Sequence, residues 1–255
     1  MNIVILSNEQ VLELVAAELY KLSGDAELFL VTNIPYLEAL DAEVKKNSRL
    51  ISIFSTVVVP QNLLSQFGHG CYNLHPGTPD YPGWRAWSFA ILNNAKTFGL
   101  TLHEMTQKVD AGSIVSFMKF SLSQRMTEND VREIFIKTLP NFFHYYPECL
   151  RSMDKLPVLS THWSRKPFTK RDVQKVIQVN GSTSPGLLLT LVRAFGFGAT
   201  DEKPYIVQNN KRFVLEGNVN LDLEGKDHLE MHGFTFCAHQ LEVLDVEALK
   251  VKTES

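Results

Sequence analysis

The amino-acid sequence predicts an α/β fold: a mostly parallel sheet over residues 1–155, followed by a smaller, partly β region over 156–255. Three features carry that expectation. Short apolar runs alternate with stretches of helical spacing, the pattern of parallel strands joined by right-handed crossovers. The first run is continuous rather than alternating, as a strand covered on both faces requires. After about residue 155 the texture shifts to a basic stretch, "STHWSRKPFTKRDVQKVI", and then to hairpin signals.

Each element follows from its residues. "NIVILS" (2–7) is a buried strand, and "EQVLELVAAELYKLSG" is a helix with Val11, Leu12, Leu14, Val15 and Leu19 at helical spacing, stopping at Gly24. "AELFLVT" (26–32) is a second strand, "YLEALDAEVKKN" a helix, and "RLISIFSTVVV" (49–59) a third strand. Residues 61–67 form a short helix, "CYNLH" a fourth strand and "WRAWSFAILNN" a helix. "FGLTLHEM" and "SIVSFMKFSLS" are two more strands, separated by "TQKVDAG". "TENDVREIFIKTL" opens on Thr127 with Asp130 three residues later, a weaker capping box than Glu would give. Phe142, Phe143, Tyr145 and Tyr146 read as core in preference to a dimer face. Further on, "NGSTSPG" is a turn, "LLLTLVRAFGFGA" a helix and "PYIVQNNKRFVLEG" a hairpin turning at Asn-Asn.

Composition narrows the function classes. The chain has 255 residues, 44% of them hydrophobic, and a net charge of −3, so nothing points to a nucleic-acid or anionic-membrane partner. No apolar run approaches the ~20 residues of a membrane span, and "MNIVILSNEQ" reads as neither signal peptide nor anchor. Cys71, Cys149 and Cys237 are widely spaced and odd in number, which fits reduced thiols in a cytoplasmic protein. The first strand is followed by "NEQ", with neither G-x-G-x-x-G nor a Walker lysine, so NAD or ATP held in the usual way is not expected.

Ligands of open α/β sheets lie beyond the carboxyl ends of strands. Asn73 and His75 end one such strand, two residues apart and so on one side of it, and the proline-rich "HPGTPDYPGW" then stiffens the backbone. Asp110 lies in the tight turn "KVDAGSIV". Taken singly, His75 is as well read as a turn histidine and Asp110 as an Asx-turn residue. His228, His232, Cys237 and His239 are close enough in sequence to suggest zinc. "HLEMH" is not H-E-x-x-H, however, so a surface reading is preferred and no metal is expected. Arg165, Lys166, Lys170, Arg171 and Lys175 form a solvated basic face, or a seat for a substrate phosphate.

Together, "NLHPGTPDYPGW" and "GLTLHEMTQKVDAGSIV" resemble the formyl-transfer domain of the N10-formyltetrahydrofolate-dependent transferases, which act on glycinamide ribonucleotide, methionyl-tRNA or nucleotide sugars. The resemblance covers residues 50–120, with a fainter echo in "LVRAFGFGATDEKPY". It implies a Rossmann-like core and places the family's catalytic Asn-x-His on Asn73 and His75 and its Asp on Asp110; His103 matches a recurrent histidine. The chemistry suits these groups: an amine attacks the formyl carbon through a tetrahedral intermediate, Asn73 donates to the oxyanion, His75 takes the proton or partners the oxyanion, and Asp110 orients it and raises its basicity. The pterin is expected against Thr56, Val57, Val58 and Val59 and against Met105, Thr106, Gln107, Lys108 and Val109. The substrate is expected against Asn8, Thr78, Pro79, Tyr81, Trp84 and Arg85, with the proline loop as a wall of the amine pocket. A nucleotide-linked amino-deoxysugar is the expected acceptor, with Trp84, Trp163 or Tyr205 available to stack its base, and a homodimer the expected assembly. Glycinamide ribonucleotide, methionyl-tRNA, or a folate- or nucleotide-binding module without turnover are the alternatives.

Overall fold

The structure, a computed structural model, describes residues 1–215 and 228–238. The chain divides into two compact units, Met1–Lys170 and Arg171–Ser255.

The first unit is built on a six-stranded sheet in the order β2 (Leu28–Val31), β1 (Asn2–Leu6), β3 (Ser48–Ile53), β4 (Cys71–His75), β5 (Thr97–Glu104), β6 (Ile114–Ser121). β2, β1, β3 and β4 run parallel, while β4–β5 and β5–β6 pair antiparallel. The sheet is therefore mostly parallel, as expected, and the antiparallel β5–β6 pairing has a simple cause. Only residues 105–113 join β5 to β6, fewer than the dozen or so that a parallel crossover needs.

Alternate residues of β1 feed opposite faces, as a strand's period of two requires. Ile3 and Ile5 join one buried cluster with Ile51, Ile53 and Leu74; Val4 and Leu6 join another with Leu50, Val59 and Leu63. Helix α1 (Glu9–Ser23) starts where Asn8 Oδ1 accepts the Val11 N–H at 3.0 Å, and it ends at Gly24 with φ 64°. Val11, Leu12, Val15 and Leu19 are buried against the sheet, whereas Leu14 points to solvent. The single helix expected over 36–47 is two, α2 (Ile34–Ala39) and α3 (Ala42–Lys46). Leu40 turns extended between them, and Asp41 caps the second by accepting from the Glu43 N–H. After α4 (Gln61–Leu64) and α5 (Ala86–Leu92), helix α6 (Glu128–Tyr145) opens on the reciprocal Thr127–Asp130 capping box. Phe142 and Phe143 are core, but Tyr145 is exposed.

At the amino end of the sheet Arg49 is fully buried. Its guanidinium donates to the carbonyls of His69, Glu148 and Cys149 at 3.0 Å each, and to that of Asp154. These bonds clasp β3 to the segment around α7 (Glu148–Arg151). Residues 156–170 are stitched to the same unit: the Leu159 N–H donates to Ile114 O at 2.7 Å and the Phe168 N–H to Pro82 O at 2.9 Å.

Helices α8 (Lys170–Ile177) and α9 (Pro185–Phe195) lead into the second unit. Its sheet has the order β7 (Tyr205–Gln208), β8 (Lys211–Leu215), β10 (Phe234–Ala238), β9 (His228–Met231). The expected β7–β8 hairpin turns on Asn209 and Asn210 at φ 50° and 60°, the left-handed pair whose twist suits a two-residue turn. Of the histidine–cysteine set, His239 lies outside the described residues, as does the C-terminal "KVKTES". Among the described residues no group of three His, Cys, Asp or Glu side chains could hold a metal. No helix among them is long and apolar enough to cross a membrane.

Candidate active site

The site is assembled on β4 and β5 toward the carboxyl end of the parallel strands; the 105–113 connection leaves beside Cys71, where the Met105 N–H donates to Cys71 O, and folds back to bring Asp110 to it. Antiparallel pairing sets Asn73 of β4 directly opposite His103 of β5. The β5–β6 register shifts between Leu102 and His103, which pair with Ser116 and Ile114, so that Val115 of β6 is left out of the pairing. Asp110 follows in the connection at φ 43°, a left-handed conformation uncommon outside glycine, although Asp tolerates it better than most.

That turn points the Asp110 carboxylate into a ring of donors. Oδ2 accepts the Gly83 N–H at 2.8 Å and faces His75 Nδ1 at 3.1 Å. Oδ1 faces His103 Nε2 at 3.1 Å and accepts an Asn73 amide N–H at 3.3 Å. Burial alone would raise the Asp110 pKa; His75, His103 and the Gly83 N–H outweigh it and hold the carboxyl well below the usual range.

His75 is 3% exposed and held at both nitrogens, since Nε2 lies 2.8 Å from the Tyr81 carbonyl. A neutral imidazole can donate to only one of its two oxygen neighbours, Asp110 or Tyr81; the imidazolium donates to both. Burial nevertheless pushes the His75 pKa below its ordinary value, against the upward pull of Asp110 and the Tyr81 carbonyl. Burial thus favours the neutral ring, while two acceptors stand ready for the proton it takes up. That is the disposition of a general base.

The proline loop holds this geometry from behind. A Cβ on Gly77 would lie 2.4 Å from His75 Nε2 and 2.6 Å from the Tyr81 carbonyl, so only glycine lets the loop close on the ring. Thr101 Oγ1 donates to Gly77 O, and the Tyr81 N–H to Thr78 O. Pro79 and Pro82 are buried, and their carbonyls accept from Ser164 and Phe168. Gly83, at φ 94°, has backbone of Phe168 where a Cβ would stand.

The structure brings Asn73, His75, Asp110 and His103 together, with the Tyr81 carbonyl beside His75, and gives the other expected residues varied surroundings. Thr56 and Val58 are exposed on the loop after β3, Val59 is buried, and Val57 packs with Met105 against one apolar cluster. Thr106, Gln107, Lys108 and Val109 are exposed beside them. Asn8 is committed to capping α1 and to Phe54 O. Arg85 forms a buried ion pair with Glu128, and Thr78 is buried with no partner recorded for its hydroxyl. Tyr81 contributes its carbonyl to His75 while its ring stacks on Phe168, and Trp84 carries the Lys170 ammonium 5.1 Å from its ring.

Sequence reasoning missed the Gly83 N–H, because a backbone donor has no residue signature. It also read Trp163 only as a possible base platform. The indole N–H instead donates to Gly112 O at 2.9 Å, and the ring stands nearly perpendicular to His75 and His103, with centroids 5.7 and 5.1 Å away.

The formyl transferase family model matches residues 8–142. A methionyl-tRNA formyltransferase of Buchnera aphidicola is 27% identical over 186 residues, which cover 66% of this chain and 56% of that protein. The chain thus spans little more than half the length of that relative, and 19% of a bifunctional polymyxin resistance protein ArnA from Wigglesworthia glossinidia, 30% identical over 123 residues. Among solved structures, a sugar N-formyltransferase from Shewanella shares the fold with a TM-score of 0.68 at 18% identity, over 87% of this chain and 98% of that one. With the matched segment carrying Asn73, His75, His103 and Asp110, the chain belongs to the formyl transferase family.

Proposed function

We propose that the protein moves a formyl group from N10-formyltetrahydrofolate to the primary amine of a nucleotide-linked amino-deoxysugar, with catalysis in the first unit. The chemistry rests on the buried Asp110 carboxylate, which locks His75, His103 and Asn73 at one strand end. N10-formyltetrahydrofolate supplies the carbonyl carbon that the amine attacks. His75 takes the amine proton, Asp110 keeps the ring oriented, and Asn73 offers an amide N–H to the oxygen that gains charge. An amine entering beside Nε2 finds the Tyr81 carbonyl as a second acceptor for its protons. The loops expected to hold the pterin suit a flat, partly apolar ring: Val58 is 64% and Val109 53% exposed.

The observation that carries the acceptor class is charge. Residues 161–255 hold twelve Lys or Arg and twelve Asp or Glu, a balance that offers no electrostatic footprint for a tRNA. Formyl transfer measured across a panel of amino-sugar nucleotides tests the reading, and turnover of glycinamide ribonucleotide with none of any sugar nucleotide overturns it. The Buchnera relative favours a second reading, methionyl-tRNA. Tight tRNA binding with a steep salt slope would establish that one instead. The proposal also takes the protein as a cytoplasmic homodimer working without a metal; the free thiols of Cys71, Cys149 and Cys237 are in keeping with that compartment.

A further inference from the structure

Trp163 belongs to the segment after the catalytic core, yet its ring lies against both histidines of the site. It is half-buried, and beneath it His75, His103 and Asp110 are 3%, 2% and 6% exposed. Its position is fixed from two sides. The indole N–H donates to Gly112 O, two residues beyond Asp110. The next residue, Ser164, donates its N–H to Pro79 O at 3.1 Å, in the loop that carries the Tyr81 carbonyl. The Trp84 N–H donates to Phe168 O at 2.8 Å and the Phe168 N–H to Pro82 O at 2.9 Å. Segment 163–168 and loop 79–84 are thereby joined, with Trp163 at the end nearest the reacting groups.

We propose that Trp163 is a positioning and shielding residue that keeps water from the His75–Asp110–His103 cluster, so that the formyl group goes to an amine instead of to water. The alternative step is simple hydrolysis. Water adds to the formyl carbon, its proton passes to the base, the carbon–N10 bond breaks, and N10 takes a proton as formate and tetrahydrofolate leave. A base able to deprotonate an amine can also deprotonate water, so selectivity requires that water be shut out. The groups facing His75 are Asp110 from the β5–β6 connection, His103 from β5 and the Tyr81 carbonyl from the loop. Trp163 is the large apolar ring that closes over them.

This inference rests on the formyl-transfer reading but not on the sugar acceptor. The test uses Trp163→Ala and Trp163→Phe in the full chain, the second keeping a ring while losing the Gly112 hydrogen bond. Formate release from N10-formyltetrahydrofolate is measured without any acceptor, and the His75 ring is titrated by NMR without any folate. The expected result is a rise in formate release of about tenfold for Trp163→Ala and a smaller rise for Trp163→Phe. The His75 pKa should also move up toward its ordinary value in both. Formate release and His75 titration both unchanged in the folded variants overturn the proposal. If Trp163→Ala does not fold, the Phe variant decides by the same two readouts. Failure of every sugar nucleotide as acceptor would overturn the acceptor class alone and leave these measurements intact.

Discussion

Two buried charges occupy opposite ends of the same sheet, and they are satisfied in different ways. Arg49, at the amino end, gives its guanidinium to four backbone carbonyls. Asp110, at the carboxyl end, is held by two histidines, one amide side chain and one backbone N–H. A guanidinium stays charged at any ordinary pH, and carbonyls do not titrate, so the Arg49 clasp cannot respond to anything. Of the groups around Asp110, His75 is the one that can take up and release a proton, which makes that end suited to chemistry. Burial of a charge is therefore no sign of function by itself. What matters is whether the partners can move protons.

The comparison can be broken most sharply at His75. His75→Ala should lower kcat for formyl transfer by about 10²–10⁴, the worth of a general base, measured on the folded fraction because the change also leaves the buried Asp110 carboxylate without its partner. An unimpaired variant would mean that another group takes the proton. Asp110→Asn follows, with a loss in kcat of about 10²-fold. It carries a pH signature as well. The folded Asp110 titrates well below the ordinary carboxylate range, so its charged form stabilises the wild type above that range, and the contribution fades as pH falls. Urea unfolding should then show less loss of stability below about pH 5 in Asp110→Asn than in the wild type. Equal slopes would show that the carboxylate is not held as described.

Arg49→Met should do the reverse. It leaves buried carbonyls without donors and should cost about 3 kcal/mol of stability, while the folded variant keeps its kcat within about twofold. A large kcat loss in folded Arg49→Met would couple the two ends. The smallest effect is expected for the double change Pro79→Ala and Pro82→Ala. Freeing the unfolded chain should cost about 1–2 kcal/mol, and loosening the Tyr81 carbonyl should raise KM for the amine about threefold or more. Lost stability with an unchanged KM would make the loop a buttress only.

The sequence was most legible where local chemistry decides structure. Cys71–His75 is a strand as read, the Thr127–Asp130 box caps α6, and Asn209–Asn210 turns a hairpin. Asn73 and His75 could be paired because two residues on one strand share a side, and resemblance supplied Asp110. Hidden from the sequence were contacts fixed by tertiary closure: the Gly83 N–H on Asp110, Trp163 over the histidines, and Arg49 reaching across 100 residues to Cys149. The break at Leu40 was hidden as well, because that residue's propensity does not announce the extended backbone it adopts.

The short β5–β6 connection has a consequence for how the chain reaches its working form. Asn73, His75, Gly83, His103 and Asp110 all fall between residues 73 and 110, so bringing them together closes only short loops. Loop-closure entropy grows with the logarithm of the intervening length, and local pairings form fastest. The geometry of this cluster is thus encoded almost entirely within one contiguous stretch. A cut at the exposed Gly24 turn would leave that stretch whole. A chain nicked there should still assemble the same side-chain cluster.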